Sequence, residues 1–120
     1  MKKLMLVLFV LGITLSSFAG LKEKDVLGTW KFKVETPDGD VTGTLNFEKK
    51  EGKLHGEVIT DDGENQAFRQ VELRENDLLY CELDNGYEIM EVSLTVKGKT
   101  MEGTVDTEGG ILPITCEKVE

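Results

Sequence analysis

The sequence predicts an all-β protein: eight antiparallel strands in an up-and-down meander, closed into a small barrel. Three observations carry that expectation. Beyond residue 20, apolar residues recur at every second position in short runs; glycine-marked turn signals separate those runs; and one face of each run is apolar while the other is mostly Lys, Glu and Thr. A one-sided sheet of this kind must close or fold in two to bury its dry face, and hairpins throughout leave no long crossover for a sandwich.

The first nineteen residues stand apart from that domain. Lys2 and Lys3 precede an almost unbroken apolar run over 4–15, and Ser17-Phe18-Ala19 offers a small-x-small cleavage site, the pattern of a secretory signal peptide. The run is short for a membrane span of about twenty residues, and no cysteine follows it to take a lipid. The expectation is therefore a signal over 1–19, cleavage after Ala19, and one barrel domain over 20–120, exported to the periplasm or the outside, with no membrane span after cleavage.

The strands follow in order. The first, 28–36, turns Trp30, Phe32 and Val34 to one side and Lys31, Lys33 and Glu35 to the other. Pro37-Asp38-Gly39 leads into 40–49, with Leu45 and Phe47 inward, and Glu51-Gly52 into 53–61, with Leu54 and Val58 inward. Asp61-Asp62-Gly63 precedes 66–74, where Val71 and Leu73 face in. The next turn lacks glycine, and Asn76 takes the left-handed conformation there. Strand 77–84 offers Leu79, Cys81 and Leu83; strand 87–97, after Asp84-Asn85-Gly86, offers Met90, Val92, Leu94 and Val96. Lys97-Gly98-Lys99 and Glu108-Gly109-Gly110 then bracket 99–106, with Met101 and Val105 inward, before 110–118 closes with Leu112, Ile114 and Cys116. The hairpins LNFEKKEGKLHGEV and LTVKGKTMEGTV align with each other, a weak internal repeat.

Residues 20–120 hold twelve basic against twenty-three acidic residues, a charge of −11. That balance disfavours nucleic acid and anionic membrane surfaces, which would repel the chain. Its distribution is more informative. Alternate turns of a meander lie at one end, and the first, third, fifth and seventh bring together Asp38, Asp40, Asp61, Asp62, Glu64, Asp84, Asp106 and Glu108 without Lys or Arg. The opposite end is mixed, with Lys22, Lys24, Lys49, Lys50, Lys53, Arg74, Lys97 and Lys99. Asp and Gly are also simply good turn formers, which accounts for part of the asymmetry.

Catalytic chemistry has little to stand on. His55 is the single histidine and falls on the wet face, so no serine or cysteine has a base to activate it. One histidine and two separated cysteines make no zinc cluster, the TDDGENQ segment lacks the EF-hand spacing, and no carboxylate lies on the apolar face where its pKa would rise. No enzyme activity, metal or cofactor is expected. Cys81 and Cys116 both point inward, but their strands, the fifth and the eighth, are three strand spacings apart, roughly 12–14 Å of sheet at ~4.8 Å per spacing. A disulfide needs Cα atoms within about 7 Å, so two buried free thiols are expected.

Gly28-Thr29-Trp30 at the head of the first strand resembles the Gly-x-Trp with which lipocalins and the wider calycin group begin their barrels. The chain departs from lipocalins in being shorter, in lacking a helix after the barrel, and in offering Lys118 where an arginine usually covers the tryptophan. Avidins build their pocket from several tryptophans and this chain has one, so the resemblance does not imply biotin. It is more similar to the short lipocalin-like domains of secreted bacterial proteins, which implies a barrel and a binding role.

Under that resemblance Trp30 marks the closed end and the acidic turns the mouth. The candidate ligand-binding interior is Trp30, Phe32, Phe47, Gly56, Met90, Met101 and Gly103, with Asp38, Asp62, Asp84 and Glu108 at the mouth. Gly43, Gly56 and Gly103 face inward and are expected to leave space. The ligand expected is a small apolar or cationic amphipathic molecule. The alternative is a filled barrel acting as an interaction or inhibitor module toward a basic protein surface, with Ile59, Tyr80, Tyr87 and Ile89 as the main apolar residues outside.

Overall fold

The computed structural model describes residues 23–119; the expected signal over 1–19 lies outside them. A single 3₁₀ turn, Glu23–Asp25, precedes nine strands: β1 Gly28–Thr36, β2 Gly39–Lys50, β3 Lys53–Thr60, β4 Asn65–Ala67, β5 Gln70–Arg74, β6 Leu78–Asp84, β7 Ile89–Lys97, β8 Thr100–Thr107 and β9 Gly110–Val119. They form one antiparallel up-and-down meander in the order β4-β3-β2-β1-β9-β8-β7-β6-β5. Among the described residues no helix is long and apolar enough to cross a membrane.

The architecture is barrel-like because the two strands at the ends of that order, β4 and β5, follow each other in the chain, and the first and last strands pair from Thr29↔Val119 to Val34↔Ile114. Nine strands stand where the alternation predicts eight. The run 66–74 is two strands, β4 on β3 and β5 on β6. Between them Phe68 N–H donates to Gly56 O at 2.9 Å and Arg69 N–H to Glu82 O at 2.8 Å, so the chain passes from one neighbour to the other within two residues.

Side-chain parity shows why the strand breaks. Gln66 and Phe68 face the interior, and so do Val71 and Leu73. An even-numbered and an odd-numbered pair can share one face only if a residue is added between them, as in a bulge.

The turns follow their chemistry. Gly39 and Gly110 take φ of 120° and 133°, and both close the same device: Thr36 Oγ1 donates to Gly39 O at 2.6 Å, Thr107 Oγ1 to Gly110 O at 2.8 Å. Asn76 and Asp77, in the turn without glycine, adopt φ of 66° and 60°.

The inward residues expected from period two all belong to the core or pack against it, with Leu54 at its edge. The core also takes in Val26 and Phe68. Tyr80 points outward yet is nearly buried, because the Arg74 guanidinium lies 3.8 Å above its ring and its hydroxyl donates to Glu82 Oε2 at 2.7 Å. Cys81 and Cys116 are buried and free. Burial pushes both thiols up, Cys116 to about 12.

Candidate functional site

Trp30 seals one end. Its indole is fully buried and its Nε1–H donates to Val26 O at 2.8 Å, while Val26, also fully buried, is drawn in by the 3₁₀ turn through Val26 N–H to Glu23 O at 2.9 Å. Lys118 Nζ lies 5.2 Å above the indole and donates to Asp25 O at 3.3 Å, and Lys49 holds Glu23 at 2.7 Å. The turn thus closes the mixed-charge end as a small lid, a feature the strand pattern does not contain.

The glycines expected to leave space do the reverse. A Cβ on Gly43 would overlap the Ile59 carbonyl oxygen and sit 2.8 Å from Thr60 Cα; one on Gly103 would overlap the Ser93 carbonyl and sit 3.0 Å from Leu94 Cα. Here two backbones approach closely, which a tightly coiled barrel wall requires. At Gly56 a Cβ would come 2.6 Å from Phe47 Cδ1, because Phe47 and Phe68 occupy that place as parallel rings with centroids 6.1 Å apart.

An apolar cavity of about 340 Å³ occupies the other half. Its deep wall is Phe32, Leu45, Phe68, Val92, Val105 and Ile114; its middle is Val34, Val58, Leu83, Met90 and Leu112. Thr36, Val41, Thr60, Glu64, Gln66, Asn85 and Thr107 form the rim, beside the four turns counted as acidic from the sequence. Of the expected interior residues, Phe32 and Met90 line this cavity. Trp30, Phe47, Gly56, Met101 and Gly103 do not; they pack the closed half or the wall, because the cavity begins above the level of the Phe47–Phe68 stack. Phe68 and the rim residues Thr36, Thr60, Gln66, Asn85 and Thr107 were not expected at the site, whereas Glu64 was among the acidic turn residues. The parity conflict between Phe68 and Val71 was the signal for the first.

Asp38, Asp62 and Glu108 lie in the turns beside the rim and Asp84 at the end of β6, none of them in the cavity wall. The rim is held by its own hydrogen bonds. Thr42 Oγ1 donates to Asp61 Oδ2 at 2.5 Å, Glu108 N–H to Glu88 Oε1 at 2.7 Å, and Gly86 N–H to Asp84 Oδ1 at 2.9 Å. The Gln66 amide donates to Asp84 O, bridging β4 to β6 where no backbone ladder joins them. The Thr60 hydroxyl and the Glu64 N–H both donate to Asp62, which holds its carboxyl below the usual aspartate value. Among the described residues no three His, Cys, Asp or Glu side chains converge as metal ligands.

Wall, lid and cavity together define a small antiparallel β-barrel with one sealed and one open end. Solved structures agree at the level of fold. The chain is similar to a redesigned β-barrel, with a TM-score of 0.62 and 18% identity over 81% of this chain and 94% of that one. It is also similar to a de novo designed fluorescence-activating β-barrel, with a TM-score of 0.55 and 19% identity over 78% and 93% of the two chains. No protein-family model matches the sequence, and no curated protein matches it.

Proposed function

We propose that the protein is an exported, non-enzymatic, lipocalin-like binding protein that takes a small apolar or amphipathic molecule through its open end. The observation that carries this reading is the cavity: about 340 Å³ of apolar space with a polar rim, within the size and character of small-molecule sites. In this reading β4 and β5 count as one bent strand of an eight-stranded closed barrel, and Lys118 above Trp30 takes the part of the lipocalin arginine. The signal over 1–19 directs the chain to the periplasm or beyond.

A neutral environment-sensitive dye, N-phenyl-1-naphthylamine, tests it. Its fluorescence should rise with the wild type and fail to rise with Val58→Trp, which places an indole in the middle of the cavity. No rise with the wild type, or an equal rise with the filled variant, would sink the reading. Intrinsic tryptophan emission is a poor reporter, since Trp30 lies outside the cavity wall.

One observation favours the interaction-module alternative. Tyr87 at 93% exposure and Ile111 at 66% stand at the open end with Ile89 and Val41. A basic protein docking there would be lost on Tyr87→Ser with Ile111→Ser, whereas dye binding would survive.

A further inference from the structure

We infer that the ligand is a cationic amphiphile, one amine or quaternary ammonium on a single apolar tail of about ten carbons, with the cation held at Glu64. The inference rests on the reading of the cavity as a binding site and narrows it.

Size sets the tail. At the ~30 Å³ that one water takes in the liquid, a cavity of about 340 Å³ holds roughly eleven water-sized groups, which a methylene approximates in size. The deep wall is hydrocarbon and aromatic ring throughout, so a charged head buried there would go unpaired at prohibitive cost. The head must stay at the rim.

Charge sets the head. Glu64 is the one charged side chain of the cavity wall among the described residues, and it enters none of the ion pairs found among them. Its backbone is pinned to Thr60, which donates through its N–H to Glu64 O at 2.9 Å and accepts at Oγ1 from Glu64 N–H at 3.2 Å, so the residue is anchored at the rim. The four surrounding turns add Asp38, Asp62, Asp84 and Glu108 with no lysine or arginine. That field attracts a cation and repels a carboxylate head. The acids do not converge in metal-ligand geometry, which favours a diffuse organic cation over a bare metal ion.

Decyltrimethylammonium, decanol and decanoate, competed against the neutral dye at pH 7 and low salt, separate the possibilities. The ammonium should displace the dye at a concentration at least about threefold below that of decanol, an advantage that shrinks as salt rises, and decanoate should be the weakest. Glu64→Gln should remove the ammonium's advantage and leave decanol unchanged, while Glu108→Gln, off the cavity wall, should keep most of it. Equal displacement by ammonium and decanol, or a Glu64→Gln protein that keeps the preference, overturns the cation assignment alone. Failure of the dye and all three compounds to bind overturns the cavity reading with it.

Discussion

The two halves of this barrel are written in the same alphabet and reach opposite states. Leu94, Leu79 and Met101 in one half and Leu112, Leu83 and Met90 in the other follow the same alternation on the same kinds of strand. The first three are essentially inaccessible and the second three only partly buried around open volume. The difference lies in what each end receives from outside the strands. One end receives Val26 and a 3₁₀ turn roofed by Lys118 and Lys49; the other receives four short polar turns that hydrogen-bond to themselves. Closure of a small barrel is thus supplied by its connections, while its strands supply only the dry interior.

Truncating matched residues in the two halves should give the largest difference. Trp30→Ala should cost about 3–5 kcal/mol and Leu94→Ala about 2–5 kcal/mol, because a closed, packed site cannot collapse onto the void. Leu112→Ala removes the same atoms from a residue already facing open space and should cost about 1 kcal/mol. Urea unfolding of the three variants checks this; equal losses for the two leucines would mean that the open half is packed in solution.

Gly103→Ala comes next, at about 1–3 kcal/mol, since its new methyl would meet the backbone of Ser93 and Leu94 rather than a yielding side chain. A neutral result would restore the idea that these glycines leave room. Thiol chemistry sharpens the contrast without altering stability much. Cys81 and Cys116 should resist a disulfide reagent in the native protein and both titrate once it is denatured without reductant, whereas a Leu112→Cys thiol should react promptly. Loss of both titratable thiols in the unreduced protein would show a disulfide and a different strand arrangement.

The smallest effect is expected on the outer wall, away from both halves of the interior. Hydrogen bonds from Tyr80 and Arg69 hold the Glu82 carboxyl below the ordinary glutamate value, and that of Glu72 is lowered chiefly by Arg74. A folded-state pKa below the unfolded one contributes stability above the unfolded value, lost as pH falls through the folded one. Tyr80→Phe should therefore lower the urea midpoint at pH 7 and lose that effect progressively as pH falls below the ordinary glutamate range, with dye binding unchanged at pH 7.

Much of the fold was legible because a strand's period is two and a short turn advertises itself. β1 spans the residues expected from alternation, and six of the other expected strands match within about two residues at each end. Phe68 was illegible under the assumption of one unbroken strand over 66–74, since its parity opposes that of Val71. Val26 was illegible because it lies before the first strand, where no alternation operates. The placement of the candidate interior was legible at two of its seven residues. Phe32 and Met90 line the cavity, whereas Trp30, Phe47, Gly56, Met101 and Gly103 share their face and differ in height along the barrel, a coordinate that parity does not encode.

The alternation, the hairpins and the gathering of acidic turns at one end are readable from the residues alone, because each is a local property of a strand or turn and of the up-down order of a meander. The Gly-x-Trp resemblance already implied a closed end at Trp30; how that end is sealed and where the empty volume lies were settled by tertiary contacts. Both depend on how far the walls coil inward at Gly43 and Gly103, on the stacking of Phe47 against Phe68, and on the segment before β1 folding back over Trp30. The wall and stacking contacts join neighbouring strands and the lid joins a segment outside any strand, and strand alternation carries none of these distances.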